Sequence, residues 1–204
     1  MATGAAVETA IRDVVADTYR GHGRIVFDGD GYSAEWEREA QRRGLLNLRT
    51  TPDALPELIA DPTVRVFAEQ SVLSARELHA RYDVLLEQYA AQVAIEAGTA
   101  AQMARTLLLP AALRQREQIV AAGGPLEAPL LAELDPPLTE LHRALRALEA
   151  TLDAPGEGLD HARCMRDVAL PAMAALRAAA DTLEGLVAEH LWPLPSYAEM
   201  LFIR

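Results

Sequence analysis

Apolar residues recur at steps of three and four along most of the chain, a period that is typical of amphipathic helices. Between residues 20 and 73 eight glycines and prolines interrupt this pattern, so that stretch is predicted to be compact and rich in turns. The first helix is predicted over residues 5–19, with an apolar face made of Val7, Ile11, Val14 and Val15.

Short elements fill the rest of this N-terminal subregion, residues 1–73. A brief extended segment is predicted near 24–27, and Ser33 is a predicted N-cap of a helix that Gly44 closes. Two further helices are predicted at 52–60 and 62–70, because the pairs Thr51-Pro52 and Asp61-Pro62 place a capping residue before a proline in the first helical turn.

A long helix begins after Ser74 and is predicted to continue to about Ala122. Ser74 and Glu77 form a capping box, in which each residue can satisfy a free backbone donor of the other. The apolar pattern predicts a heptad-like seam that is polar only at Glu96, while Pro110 is expected to kink or split the helix. The seam consists of Leu78, Tyr82, Leu85, Tyr89, Val93, Glu96, Ala100, Met103 and Leu107.

Two more long helices follow the first. Asp135-Pro136 is predicted to cap the second, and a third is predicted over 159–191, with Pro171 in a context similar to that of Pro110. Their larger core residues are Leu138, Leu141, Leu145, Leu148 and Leu152 on the second helix, and Met165, Leu176, Leu183 and Val187 on the third.

The predicted fold class is therefore mainly α. A small turn-rich helical part precedes long antiparallel helices, which form a helical bundle or coiled-coil-like arm over residues 74–204. Both parts are predicted to make one continuous domain. The chain ends in the apolar tail "HLWPLPSYAEMLFIR", and such a tail is normally held against another surface. The candidate interface residues are Trp192, Tyr197, Leu201 and Phe202.

Composition narrows the classes of function. Half of the 204 residues are hydrophobic and only 5% are aromatic, so the core is built from leucine, alanine, valine and methionine. The formal net charge is −11 and there is no lysine, which argues against a nucleic-acid partner because phosphate binding needs a basic patch. No apolar run is long enough for a membrane span, and the N-terminus lacks a signal-peptide pattern.

A single cysteine, Cys164, falls within a helical pattern, where it is predicted to be a small buried hydrophobe and not a nucleophile. One thiol cannot form an internal disulfide, which fits a reducing compartment. The five histidines are scattered, and none has a metal-binding spacing such as His-Glu-x-x-His, although His79 and Asp83 lie four residues apart on one helix. The histidines are His22, His79, His142, His161 and His190.

One loop carries candidate chemistry, the stretch "RIVFDGDGYSAEW" at 24–36. Asp28 and Asp30 after an apolar run are similar to the nucleophile and general acid of haloacid-dehalogenase-type phosphatases. Tyr32 departs from that signature, and the chain has neither the lysine nor the alternating strands that such an enzyme needs.

A calcium loop and a plain turn are the other interpretations of this stretch. As a calcium loop, Glu39 fits the bidentate position, but Ser33 stands where glycine is required. A structural turn is favoured, because Asp-Gly pairs tolerate positive φ and Ser33 then caps the next helix, with Trp36 packing back into the core.

Several motifs together resemble the C-terminal region of type III glutamine synthetases. They are "GYSAEW", "TTPDALP", "LEQY", "LPAMAALR" and "WPLPSYAEMLF". The resemblance runs from about residue 8 to Arg204, and the middle, about 115–160, is similar in helical character more than in residues. The "FDGDGY" stretch falls outside the ligand-binding motifs of that family, which supports its interpretation as a turn.

The resemblance implies a cytoplasmic bacterial enzyme of nitrogen metabolism. Such an enzyme makes glutamine from glutamate, ammonia and ATP with a divalent metal, through γ-glutamyl phosphate, in two stacked hexameric rings. The family's catalytic, ATP-binding and metal-binding residues lie upstream, in domains that no segment here matches. No catalytic, cofactor-binding or metal residue is therefore implied for this chain. The implied partners are the catalytic domain and neighbouring subunits.

Three functions remain open at the level of the sequence. The favoured one is a non-catalytic helical domain that packs against the catalytic body or between subunits of the oligomer. The second is a free-standing helical protein-interaction module related to that domain. The third is an enzyme acting through Asp28 and Asp30, for which the sequence offers least support.

Overall fold

The computed structural model describes residues 4–152, 156–195 and 197–201, and those residues form helices and turns without a strand. The prediction of a mainly α fold is confirmed. The chain divides into two compact units, residues 1–50 and residues 51–204. The predicted subregion boundary between residues 73 and 74 falls inside the second unit and stays a prediction.

The first unit contains two helices, α1 (Gly4–His22) and α2 (Ala34–Arg42). The segment predicted to be extended near 24–27 begins instead in a 3₁₀ turn, Gly23–Ile25, and only Val26 has extended backbone, with φ −90° and ψ 127°. Helix α1 follows the predicted helix closely and is longer by one residue at its start and three at its end.

The second unit begins with short helices, α3 (Thr51–Ala54), a 3₁₀ segment (Leu55–Ile59) and α4 (Asp61–Glu69). The helix predicted over 52–60 is therefore divided. Pro56 lacks a backbone donor and stands in the first turn of the 3₁₀ segment, where that donor is not needed. Asp61 is the first helical residue and Ala60 is the N-cap, so the predicted cap is displaced by one position.

Continuous helical structure then extends over 48 residues, about 70 Å at 1.5 Å per residue. It consists of α5 (Ala75–Met103), a π-helical turn (Ala104–Leu108) and α6 (Leu109–Ala122). Pro110 does not split the helix. The π turn lies directly before it and takes up one extra residue, which adjusts the backbone where the proline cannot donate to the carbonyl four residues earlier.

The capping box at the start of α5 is confirmed. The backbone N–H of Glu77 donates to Ser74 Oγ at 3.3 Å, and the backbone N–H of Ser74 donates to Glu77 Oε2 at 2.8 Å. The bond from the Ser74 backbone N–H, together with one from the Ser74 hydroxyl to Glu77 Oε2 at 2.7 Å, lowers the pKa of the Glu77 carboxyl. Two backbone donors of the first turn, which have no partner within a helix, are thereby satisfied.

Replacing Ser74 with alanine is expected to lower the free energy of unfolding by about 1 kcal/mol, since it removes the acceptor for the Glu77 N–H. Urea denaturation followed by far-UV circular dichroism measures the change. Ser74→Thr, which keeps a capping hydroxyl, is the control and should stay close to wild type. Equal unfolding midpoints for Ser74→Ala and wild type would contradict the assignment.

The buried stripe of α5 and α6 differs in register from the predicted heptad-like seam. Leu85 and Leu107 are exposed, and the neighbouring Leu86 and Leu108 are buried in their place. Most other buried positions are alanines, and many are spaced by eleven residues. This spacing corresponds to 3.67 residues per turn, close to the α-helical period, and keeps the stripe on one side of the helix. The spaced sets are Leu86, Ala97 and Leu108; Ala90, Ala101 and Ala112; and Val93 and Ala104.

Helix α7 (Glu127–Leu152) begins earlier than predicted. Asp135-Pro136 does not cap it, because both residues lie in the helix interior. Asp135 instead forms an ion pair with Arg116 of α6, at 2.8 Å from Nε to Oδ1. The seam predicted for this helix is confirmed at Leu138, Leu141, Leu145 and Leu148, which are buried, while Leu152 is partly buried.

The third long helix is shorter than predicted over 159–191. It comprises α8 (Gly158–Cys164), a second π turn (Met165–Ala169) directly before Leu170-Pro171, and α9 (Leu170–Glu184). Its predicted core residues, Met165, Leu176, Leu183 and Val187, are all buried. Helix α7 packs against α6 and α9, and α5 packs against α8, an arrangement that fits a helical bundle. A short helix, α10 (Tyr197–Leu201), ends the described chain.

Candidate interaction surfaces

The "FDGDG" loop forms a hydrogen-bonded turn. Asp30 Oδ1 accepts from the backbone N–H of Tyr32 at 2.9 Å, and the Asp30 carbonyl accepts from the Ser33 hydroxyl at 2.6 Å. Ser33 Oγ in turn accepts from the backbone N–H of Trp36 at 3.2 Å, so Ser33 caps α2 as predicted. The Asp30 carboxylate therefore orders its own backbone, which is the structural role that the turn interpretation assigns to it.

Aromatic packing holds the far side of this turn. The rings of Phe27 and Trp36 lie 4.7 Å apart between centroids, and the Arg43 guanidinium lies about 6 Å from each ring. Arg43 also donates to the carbonyl of Val26 at 2.6 Å. Together these contacts tie the segment before the loop to α2 and leave the loop as a connection between packed elements.

Glu39 stands in the bidentate position of the calcium interpretation, but its carboxylate forms ion pairs with two arginines. Its carboxylate accepts from Arg42 at 2.6 Å and from Arg43 at 2.5 Å. Hydrogen bonds from Arg42 and then Arg43 lower the pKa of Glu39 from 4.5 to about 2. The carboxylate positions Arg43 over the aromatic pair, which is a structural role.

Acid is expected to weaken the first unit as Glu39 becomes protonated. A carboxyl whose pKa is depressed in the folded state contributes its stability above pH 4.5, and that contribution is lost as the pH falls from 4.5 towards about 2. The stability difference between wild type and Glu39→Gln should therefore shrink across this window. Near-UV circular dichroism of the Phe27–Trp36 pair, recorded during urea unfolding at several pH values, measures it, and a difference independent of pH would refute the assignment.

The described histidines do not assemble a metal site. His79 Nδ1 lies 2.8 Å from the Ala75 carbonyl, so that nitrogen faces its own helix. Over residues 4–152, 156–195 and 197–201, no three histidine, cysteine, aspartate or glutamate side chains stand close enough to hold a metal ion. In the same ranges no helix combines the length and apolarity needed to cross a bilayer.

The structure places the four predicted interface residues differently. Trp192 is half-buried and packs against the main core, whereas Leu201 is 72% exposed at the end of α10. Tyr197 begins α10, and its side chain is outside the described part of the structure, as is the whole of Phe202. The interface role of these four residues stays a prediction.

Trp192 has one feature that the sequence could not reveal. Its indole Nε1 is buried and has no hydrogen-bond partner among the described residues. Trp192 lines an open cavity of about 460 Å³, together with Val187, Leu194, Glu184 and Glu189 among others. A buried donor without an acceptor is costly, and an acceptor brought by a partner surface would satisfy it.

An ion-pair cluster at the second π turn was also missed by sequence reasoning. Arg166 donates to Asp53 at 2.6 Å and, through Nε, to Asp167 at 2.6 Å, and these bonds raise the pKa of Arg166 and lower that of Asp167. Arg105, at the corresponding position of the first π turn, donates to Glu149 of α7 at 2.7 Å. Both π turns thus direct an arginine to a neighbouring helix.

Helix α1 carries an exposed apolar face. Exposed fractions of its large apolar side chains lie between 50 and 65%. The pattern of the sequence predicted this face correctly but gave no sign of what covers it. The residues are Val7, Ile11, Val14, Val15 and Tyr19, with Ala6 and Ala10 between them.

Comparison with known proteins identifies the family. A family model described as "Glutamine synthetase C-terminal domain" matches residues 10–123, more than half of the chain. The type-3 glutamine synthetase of Dictyostelium discoideum is 30% identical over 215 aligned positions, which cover 97% of this chain and 29% of that protein. The glutamine synthetase of Butyrivibrio fibrisolvens is 33% identical, and the alignment covers 98% of this chain and 31% of that protein.

A third relative, the glutamine synthetase of Bacteroides fragilis, is 26% identical over 100% of this chain and 30% of its own length. The chain thus spans about 30% of the relatives that it matches. Because Dictyostelium is among the sources, the family is not restricted to bacteria as the resemblance implied. The resemblance to the C-terminal region of type III glutamine synthetases is confirmed, and the chain belongs to the glutamine synthetase C-terminal domain family.

Proposed function

We propose that this chain is the non-catalytic helical domain of a type III glutamine synthetase, and that it packs against the catalytic part of the enzyme and its neighbouring subunits. The enzyme as a whole would join ammonia to glutamate at the expense of ATP. The relatives that align along nearly all of this chain carry the name glutamine synthetase and are about three times as long, which supports a role as one part of a larger enzyme.

One observation carries the packing role: the buried indole N–H of Trp192 has no acceptor in the described chain. Buried polar groups are nearly always paired, so an unpaired donor beside an open cavity is a place where a partner surface, or water in its absence, supplies the acceptor. The surrounding Glu184 and Glu189 favour a partner segment that brings a backbone carbonyl to the indole and a basic side chain to the carboxylates.

The mass of the natural protein is the direct test. An antibody raised against this chain is used to probe a lysate of the source cells. We expect a single band several times larger than 22.1 kDa, the mass of the chain. A band at 22.1 kDa alone would contradict the proposal and favour a free-standing interaction module.

The packing role is tested by deletion and by substitution in the full-length enzyme. Removal of residues 75–204 is expected to disrupt assembly, measured by light scattering. Trp192→Phe keeps an aromatic ring, although a smaller one, and removes the donor, so it should weaken assembly less than the deletion. Trp36→Phe makes the same change in ring size at a tryptophan whose indole packs on Phe27, and is therefore the matched control. Ligase activity and assembly unchanged by the deletion would refute the role.

A further inference from the structure

Helix α1 has the features of a docking helix. Its large apolar side chains recur at steps of three and four, so they share one face, while Asp13 lies on the side of the helix away from Ile11. Every large apolar side chain of the face is at least half exposed. Most of the stability of a helix in a protein comes from packing of its apolar face, so this 19-residue helix lacks its main source of stability while that face is exposed.

The size of the face restricts its occupant. Five large side chains and two alanines are far fewer than the roughly 20–30 residues that each side contributes to a stable interface between free proteins. A surface this small binds well when its partner is held nearby by a covalent connection, because the connection raises the effective concentration. The occupant is therefore expected on the same polypeptide.

The position of α1 in the family alignment indicates which part of the polypeptide covers its apolar face. The family match begins at residue 10, inside α1, and the relatives continue for about 70% of their length outside the region that this chain covers. Because the matched region is their C-terminal domain, α1 stands where that domain meets the rest of the enzyme.

We propose that the apolar face of α1, centred on Ile11 and Val14, docks onto an apolar surface of the catalytic part of the same glutamine synthetase polypeptide and fixes the junction between the two. This inference rests on the proposed function and adds the contact surface to it. The partner surface is apolar, with room for the β-branched side chains Val7, Ile11, Val14 and Val15.

Site-specific photo-cross-linking in the full-length enzyme tests the proposal. A benzophenone-bearing residue replaces Ile11, and mass spectrometry identifies the peptide to which it is joined. We expect the cross-link in the catalytic part. The same probe at Asp13, about 200° around the helix from Ile11, is the matched control and should give no such cross-link. Val14→Asp, combined with the probe at Ile11, should abolish the cross-link.

Other products would overturn the docking. Cross-links only to residues 51–204, or to α1 of a second copy, would assign a different occupant. Equal yields from Ile11 and Asp13 would mean that the face is not a specific contact. These failures are distinct from failure of the proposed function, because the mass of the natural protein is measured separately. A chain found only at 22.1 kDa would remove both proposals.

Discussion

Replacement of Leu145 by alanine is expected to lower the free energy of unfolding by about 3 kcal/mol, within the roughly 2–5 kcal/mol found for such core truncations. Leu145 is fully buried on α7, where that helix packs against α6 and α9, and it belongs to the main apolar cluster of the described residues. The substitution removes three carbon atoms from a site whose neighbours are fixed in long helices, so the surroundings cannot close over the cavity completely.

Chemical denaturation with guanidinium chloride, followed by far-UV circular dichroism, measures this loss. Leu130→Ala is the matched control, since Leu130 lies on the same helix but is exposed, and its replacement is expected to change stability by less than about 0.5 kcal/mol. Equal effects of the two substitutions would mean that α7 does not bury the face assigned to it.

Enlargement of Ala97 to leucine is the second substitution with a large expected effect, a loss of about 1–3 kcal/mol. Ala97 is fully buried in the main cluster, on the stripe of α5 that is made mostly of alanine. Small side chains let neighbouring helices approach closely, so three additional carbon atoms at this position must push the helices apart or adopt strained rotamers.

The same substitution at an exposed position isolates the effect of packing. Ala91→Leu lies on the same helix, and leucine and alanine have similar helix propensities, so its stability should stay within about 0.5 kcal/mol of wild type. Thermal unfolding of both variants provides the measurement. If Ala97→Leu is as stable as Ala91→Leu, the alanine stripe is not a tight contact.

The helices could be predicted from the sequence because leucine and alanine repeat with the helical period, but the register of α5 could not. Leu85-Leu86 and Leu107-Leu108 offer two apolar residues at the same step, and the period alone does not decide which of them is buried. Alanine is only weakly hydrophobic, so an apolar pattern read from the sequence follows the larger residues nearby and misses the buried Ala90, Ala97 and Ala101.

Errors at helix ends have a different physical origin. Asp135-Pro136 has the composition of a helix start, yet α7 continues through it because Asp135 pairs with Arg116 and the leucines on either side are buried against other helices. Tertiary packing thus outweighs local preference at this point. The ion pair between Arg166 and Asp53 joins residues 113 positions apart, and no local pattern could have predicted it.

The candidate surfaces could be predicted only in part. The sequence identified Trp192 and the apolar face of α1 from residue type and period. The missing acceptor of the Trp192 indole depends on atoms brought together by the fold, so it became visible only in three dimensions. The ion pairs of Glu39 could not be predicted either, because they depend on where Arg42 and Arg43 lie relative to its carboxylate.

The π turn between α5 and α6 has a consequence for how this family can change over evolutionary time. The turn already holds one residue more than an α-helix would, so deletion of one residue within 104–108 would convert it to regular α-helix and leave the buried face of α6 in place. Insertion of a further residue has no such outlet: each residue advances an α-helix by about 100°, so α6 would rotate by that amount and Ala111 and Ala112 would leave the core. Sequences of the family should therefore tolerate a one-residue deletion in this segment more readily than an insertion.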